Sequence, residues 1–195
     1  MVVALVRRVR WIGPVALPLV CVLAEGRMVT NEQEGSAMTM KLASAAFADG
    51  AEIPSLYTDD GRDISPPLAW TGVPEGTKSL VLIVDDPDAP DPKAPKMTWV
   101  HWVLYNLPPS ASGLPEDVQP GDLPSGTLEG RNDWKRTGYG GPAPPIGRHR
   151  YFHKLYALDT VLPDLGTPAK AELLAAMEGH ILAKAELMGT YERAR

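Results

Sequence analysis

Apolar residues recur along this chain in three ways, and each predicts a different element. Leu80-Val81-Leu82-Ile83-Val84 is an unbroken run of five aliphatics, three of them β-branched, which predicts a strand buried on both faces. The run stops at Asp85-Asp86-Pro87-Asp88-Ala89-Pro90, where the prolines fix φ and remove ladder donors, so Asp86 is placed at a strand end. Thr98 to Asn106 alternates instead, putting Trp99, His101, Val103 and Tyr105 on one face and Val100, Trp102 and Leu104 on the other. His149 to Leu158 also alternates, with His149, Tyr151, His153 and Leu155 on one face and Arg150 and Lys154 expected opposite, toward solvent or carboxylates. The third pattern is helical. Leu173, Leu174, Met177, Ile181 and Met188 fall on one stripe, with Thr167 as N-cap, Pro168 as the first helical residue and Gly189 closing the end. Gly179 inside such a helix costs about 1 kcal/mol relative to alanine, which implies close contact there, and His180 reads as a boundary residue.

The intervening segments are turn-rich. Lys41 to Ser44, with Phe47, reads as an edge-like strand, Asp59-Asp60-Gly61 as a turn, Ser65 to Trp70 as extended chain and Val73 to Gly76 as a turn feeding the central strand. Leu107 to Gly147 is a long Pro/Gly-rich stretch broken by Asn132-Asp133-Trp134. Its end, Tyr139-Gly140-Gly141-Pro142-Ala143-Pro144-Pro145-Ile146-Gly147, has two readings: plain turn composition, or a backbone that glycines bring close to a ligand and prolines hold in place. Twenty prolines and eighteen glycines favour a mainly β architecture with few long helices.

At 195 residues the chain is expected to form one domain, residues 38–195, preceded by an extension, residues 1–37. Arg7, Arg8 and Arg10 precede the apolar run Trp11 to Ala24, a signal-like layout too short to span a bilayer as a helix and interrupted by Pro14 and Pro18. Three readings stand: an over-extended start with Met28, Met38 or Met40 as initiator, a signal peptide, or a functional arm. The expected compartment is the cytoplasm, with export the alternative if residues 1–27 act as a signal. A formal net charge of −5, without a Lys/Arg cluster in the body of the chain, argues against a general nucleic-acid binder. Cys21 is the only cysteine, which sets aside disulfides and thiolate metal sites in the body.

The candidate chemistry lies where the apolar elements end. His101 sits between large apolar neighbours and reads either as a pocket residue or as a core histidine bonded to a backbone carbonyl. With Asp86-Pro87-Asp88-Ala89-Pro90, Trp99-x-His101 and Gly141-x-x-Pro144-Pro145 followed by His149-Arg150-Tyr151, the chain resembles the phosphatidylethanolamine-binding protein (PEBP) family, in particular its bacterial, Raf kinase inhibitor-like branch. The resemblance runs from about Met38 to the C-terminus and takes in Ala171 to His180. It implies a PEBP-like antiparallel β-sandwich with a C-terminal helix and a small anion pocket at one end. That pocket would be lined by Asp86, Trp99, His101, His149 and Tyr151, with Asp88 also ligand-binding and Pro90, Gly141 and Pro145 at its walls. Ala143 stands where animal members carry a glycine, and the Pro145 to His149 loop is shorter than theirs, so headgroup preference does not carry over.

The expected function is small-anion binding, of phosphate or a phospholipid headgroup, with possible regulation through phosphorylated partners. Asp86 would accept a ring N–H from His101 or His149, the histidine's other N–H would face the ligand, and Tyr151 and backbone N–H groups of the glycine loop would add donors. The alternative is a hydrolase or acid-base enzyme using Asp86 with His101 or His149, or those three groups as a metal site. Against it, the chain has no G-x-S-x-G, H-E-x-x-H, Walker or dinucleotide fingerprint, so neither catalytic residues nor metal or other cofactors are assigned. A homodimer is left open.

Overall fold

The computed structural model describes residues 39–194; the expectations for residues 1–37 lie outside them. Its elements, in order, are β1 (Lys41–Ala43), β2 (Leu68–Thr71), β3 (Ser79–Asp86), β4 (Trp99–Leu107), β5 (Gly113–Leu114), β6 (Leu128–Glu129), β7 (His149–Leu158), α1 (Lys170–Met177) and β8 (Ile181–Tyr191). Short 3-10 turns at Ser55–Tyr57 and Pro120–Asp122 punctuate the loops. All strand pairs are antiparallel and form two sheets, β1-β2-β5 and β6-β4-β3-β7-β8.

The apolar run Leu80 to Val84 lies in β3, at the centre of the larger sheet, and every residue of that strand is buried. Its alternate residues serve two different cores. Leu80, Leu82 and Val84 join Trp102, Leu104, Leu155 and Leu187 from the larger sheet with Leu42, Trp70 and Leu114 from the smaller, so this core fills the space between the sheets. Val81 and Ile83 point the other way, joining Val100, Val103 and Tyr105 beneath Leu173 and Met177 of α1. A strand covered by a sheet on one face and a helix on the other has no polar face to present, which is why its sequence does not alternate.

The C-terminal helix is much shorter than its apolar stripe implies. It runs only from Lys170 to Met177, and Ala169 rather than Thr167 is its N-cap, with the Ala169 N–H bonded to Glu172 Oε2 at 2.6 Å. Gly179, at φ +80°, is in a left-handed turn beyond the helix rather than inside it. Residues 181–191 then pair along the whole of β7, so the last element is a strand, and Ile181 and Met188 do not belong to a helical face. The physical reason is tertiary: Ala183, Ala185, Leu187 and Tyr191 also satisfy period two, and the open edge of β7 selects that pattern over helix propensity. No helix among the described residues is long and apolar enough to cross a membrane.

Candidate functional site

Three strand ends meet at one end of the sandwich: the last residue of β3, the first residues of β4 and the first residues of β7. The register places Asp86 opposite Trp99 and Asp85 opposite Phe152. Around these ends lies a cavity of about 340 Å³. Of the residues expected at the site, Asp86, Pro90, Trp99, His101, Pro145, His149 and Tyr151 line it.

The alternation expected for β4 is broken at His101. Val84 pairs with Trp102 and Asp85 with Val100, so His101 is an extra residue, a β-bulge. Val100, Val103 and Tyr105 therefore face the helix, while Trp102 and Leu104 face the inter-sheet core. Trp99 and His101 face the cavity and do not share a face with Val103 and Tyr105 as strict period two predicts. Without the bulge, one face could not supply both a cavity wall and the bed of α1.

Both readings of His101 hold at once. It lines the cavity, and its Nδ1–H donates to the Gly140 carbonyl at 2.7 Å. Burial pushes its pKa down to about 4, so near neutral pH the ring is uncharged and Nε2 carries a lone pair, with no partner. The Tyr151 hydroxyl is also buried and unpartnered, its pKa raised by burial. The two rings lie edge to face with centroids 5.2 Å apart.

Asp86 takes His149, not His101. Its Oδ2 lies 2.7 Å from His149 Nδ1, and its Oδ1 accepts the Asp88 N–H at 2.8 Å. The other nitrogen of His149 does not face a ligand as expected; Nε2–H donates to the Ile146 carbonyl at 3.0 Å. Both partners of His149 are hydrogen-bond acceptors, the Asp86 carboxylate and the Ile146 carbonyl. Burial raises the Asp86 pKa and the hydrogen bond from His149 opposes it.

Asp88 and Gly141 stand outside the lining. Asp88 is buried and accepts from the Arg150 backbone N–H (2.9 Å), Nε (2.9 Å) and Nη2 (2.7 Å); the hydrogen bond from Arg150 holds its pKa below the usual carboxylate range. Gly141 packs behind the site, its N–H on Asp63 Oδ1 at 2.6 Å, and a Cβ there would lie 2.6 Å from the Tyr57 carbonyl oxygen. Gly140 N–H donates to the His101 carbonyl, so neither of these loop N–H groups is free to serve as an anion donor, contrary to expectation. Lys96, Met97 and Trp134 line the cavity without having been expected there. Only Trp134 left a trace in the sequence, as an aromatic residue interrupting a Pro/Gly-rich loop. Among the described residues no group of three or more His, Cys, Asp or Glu side chains is arranged to hold a metal ion.

Fold and cavity together describe a β-sandwich of the ligand-binding kind with a candidate site at the strand ends. The model of the phosphatidylethanolamine-binding protein family matches residues 43–192, and the chain belongs to that family. A UPF0098 protein of Methanothermobacter thermautotrophicus is 53% identical over 155 residues, which cover 79% of this chain and 99% of that protein. The crystal structure of a PEBP homologue from Chlamydia trachomatis, 46% identical, superposes with a TM-score of 0.74 and covers 80% of this chain and 99% of its own. The E. coli protein YbcL, described as a member of the mammalian PEBP family, is 32% identical with a TM-score of 0.72, covering 80% and 99%.

Proposed function

We propose that the cavity binds a small phosphate-bearing anion in its singly protonated form. The observation that carries this reading is the pair of buried atoms without partners on two lining residues, the Tyr151 hydroxyl and His101 Nε2. Buried polar groups are almost always hydrogen-bonded, so two orphans on one cavity ask for a partner. Tyr151 has a proton to give, and neutral His101 Nε2 can only accept one. A phosphomonoester with one proton meets both, offering an acceptor oxygen and an O–H on one compact group. Lys96 adds a cation to the lining, and the hydrogen bond from His149 to Asp86 offsets part of the repulsion that a lone carboxylate would exert.

The second ionisation of a phosphomonoester has a pKa of about 6. Whether the proton rides on the ligand or on His101, binding the dianion takes up one proton, so affinity falls as pH rises above that value. Calorimetry with phosphoethanolamine, the probe that the family's name suggests, is expected to give at least tenfold tighter binding at pH 5.5 than at pH 7.5. Equal affinity at the two pH values, or no binding, overturns the proposal. Tyr151→Phe removes a donor without changing shape, so it is expected to weaken binding about tenfold, the worth of one hydrogen bond, without lowering Tm. A phosphodiester, as in an intact phospholipid, carries no such proton; glycerophosphoethanolamine and a phosphoserine peptide are the arms that separate a lipid headgroup from a phosphorylated partner.

What counts against an acid-base role for His149 is its occupation: with Nδ1 on Asp86 and Nε2 on Ile146, it has no nitrogen left to exchange protons with a substrate.

A further inference from the structure

The loop that carries Trp134 is built around one buried amide. Asn132, 1% exposed, donates Nδ2–H to the Gly138 carbonyl (3.1 Å) and accepts the Arg136 N–H at Oδ1 (3.3 Å). Its backbone N–H donates to the Arg136 carbonyl (2.9 Å), and its own carbonyl accepts from the Lys135 N–H (3.0 Å). The next residue ties the loop to β4: Asp133 N–H donates to the Val100 carbonyl (3.0 Å), and Asp133 Oδ2 accepts the Val100 N–H (2.8 Å).

Held between these anchors, the Trp134 indole stands edge to face with Trp99 (5.4 Å, 82°) and with His101 (5.1 Å, 72°). Gly140 backs it so closely that a Cβ at that position would lie 2.6 Å from the ring. The same Gly140 supplies the carbonyl that orients His101. One loop thus sets both the tautomer of the imidazole and the position of the wall beside it. Trp134 is still 39% exposed, a large apolar surface left open at the cavity.

The lining also has a division of chemistry. Its polar groups are those of Asp86, His101, His149, Tyr151 and Lys96. The rest is apolar, chiefly Pro90, Met97, Trp99, Trp134, Pro144 and Pro145. A phosphoryl group fills only part of about 340 Å³, so most of the ligand's remaining surface meets this apolar wall. A charged substituent such as an ammonium would lose hydration there and be repelled by Lys96, with Arg136 already over the Trp134 ring at 5.8 Å, so only a weak cation–π contact with an indole would offset the loss.

We infer that Trp134 is a specificity-determining residue of this site and that Asn132 is the positioning residue that holds it, selecting phosphomonoesters with an uncharged apolar substituent that packs against the indole. The inference rests on the anion-binding reading above and adds the class of group that the phosphoryl carries.

The test is calorimetry at pH 5.5 with inorganic phosphate, phosphoethanolamine and n-butyl phosphate, on wild type, Trp134→Ala, Trp134→Phe, Asn132→Ala and the double variant Asn132→Ala/Trp134→Ala. Wild type is expected to bind n-butyl phosphate at least tenfold tighter than phosphoethanolamine. Trp134→Ala is expected to bring the two within about threefold while inorganic phosphate still binds measurably, and Trp134→Phe to restore part of the preference, as contact area with the substituent does. Asn132→Ala is expected to reproduce the Trp134→Ala result, and the double variant to show no further loss, the non-additivity of residues that act through one another.

A wild type without the preference, or a Trp134→Ala protein that keeps it while still binding phosphate, overturns the inference and leaves the anion reading standing. Additive losses in the double variant overturn the role of Asn132. Should Asn132→Ala fail to fold, Asn132→Asp, which keeps the acceptor for Arg136 and loses the donor to Gly138, takes its place. Absence of phosphate binding in wild type removes both readings.

Discussion

Asp85 and Asp86 are neighbours in sequence, both buried, and the pleat sends them to opposite faces of β3 with opposite fates. Asp85 faces the helix side, where Lys154 Nζ (2.6 and 2.9 Å) and Lys170 Nζ (2.5 Å) close over it. It joins the sheet to the first residue of α1 and is not among the residues that line the site. Asp86 faces the sandwich interior at its open end, is hydrogen-bonded to His149 and lines the cavity. Residue type and burial are the same for both. What separates structural from site carboxylate is which face the strand gives each and which elements cover that face.

The largest expected effect distinguishes the two faces by acid. His101 and His153, both buried on the Asp86 side, have pKa values pushed down to about 4 by burial. The unfolded chain takes up protons near pH 6.5 and the folded one does not, so the contribution is complete above pH 6.5 and is lost as pH falls toward 4. Each imidazole then costs up to about 3 kcal/mol. Urea titrations between pH 7 and pH 4 are expected to show this loss, and His153→Leu to remove about half of it; a flat profile would contradict the buried neutral imidazoles.

Next comes Asp85→Asn, which leaves two lysines facing each other. Breaking a buried ion pair costs about 3–5 kcal/mol, and because the lysine side chains here are 19% and 23% exposed we expect about 2–4 kcal/mol. Phosphate affinity of the folded protein should not change. Equal loss of binding and stability would show that the two faces are coupled.

The smallest effect is expected at the neighbouring position. Asp86→Asn can accept the Asp88 N–H and donate to His149 Nδ1, so both hydrogen bonds survive. Stability should shift by less than about 1 kcal/mol, the scale of a single exchanged hydrogen bond, and phosphate affinity by less than about threefold. A tenfold loss in calorimetry would show that the ionised carboxylate itself is required by the ligand.

How much of this was legible beforehand follows from how local each signal is. The five aliphatics of β3, the alternation of β7 and the Asp-Pro stop are local consequences of burial and backbone chemistry, and the strands formed where those patterns lie. Arg150 and Lys154 met carboxylates, as their face implied. The residues that line the cavity could be picked out because they end such strands and because their motifs resemble those of the family. Other features depended on partners distant in the chain. The bulge at His101 follows from the pairing of β4 with β3, and the choice of His149 over His101 by Asp86 from the register of β7. Trp134 reaches the site only because Asn132 and Asp133 fold its loop back onto β4.

The sequence by itself determined which segments must be buried and which residue types stand at their ends, because hydrophobic period and proline chemistry act within a few residues. Only the tertiary structure decided that residues 181–191 extend a sheet instead of a helix, that neighbouring aspartates part company, and that an indole from a loop walls the cavity. Each of those outcomes is a competition between alternatives of similar local energy, and it is settled by which strand edge, lysine or imidazole the rest of the fold brings within reach.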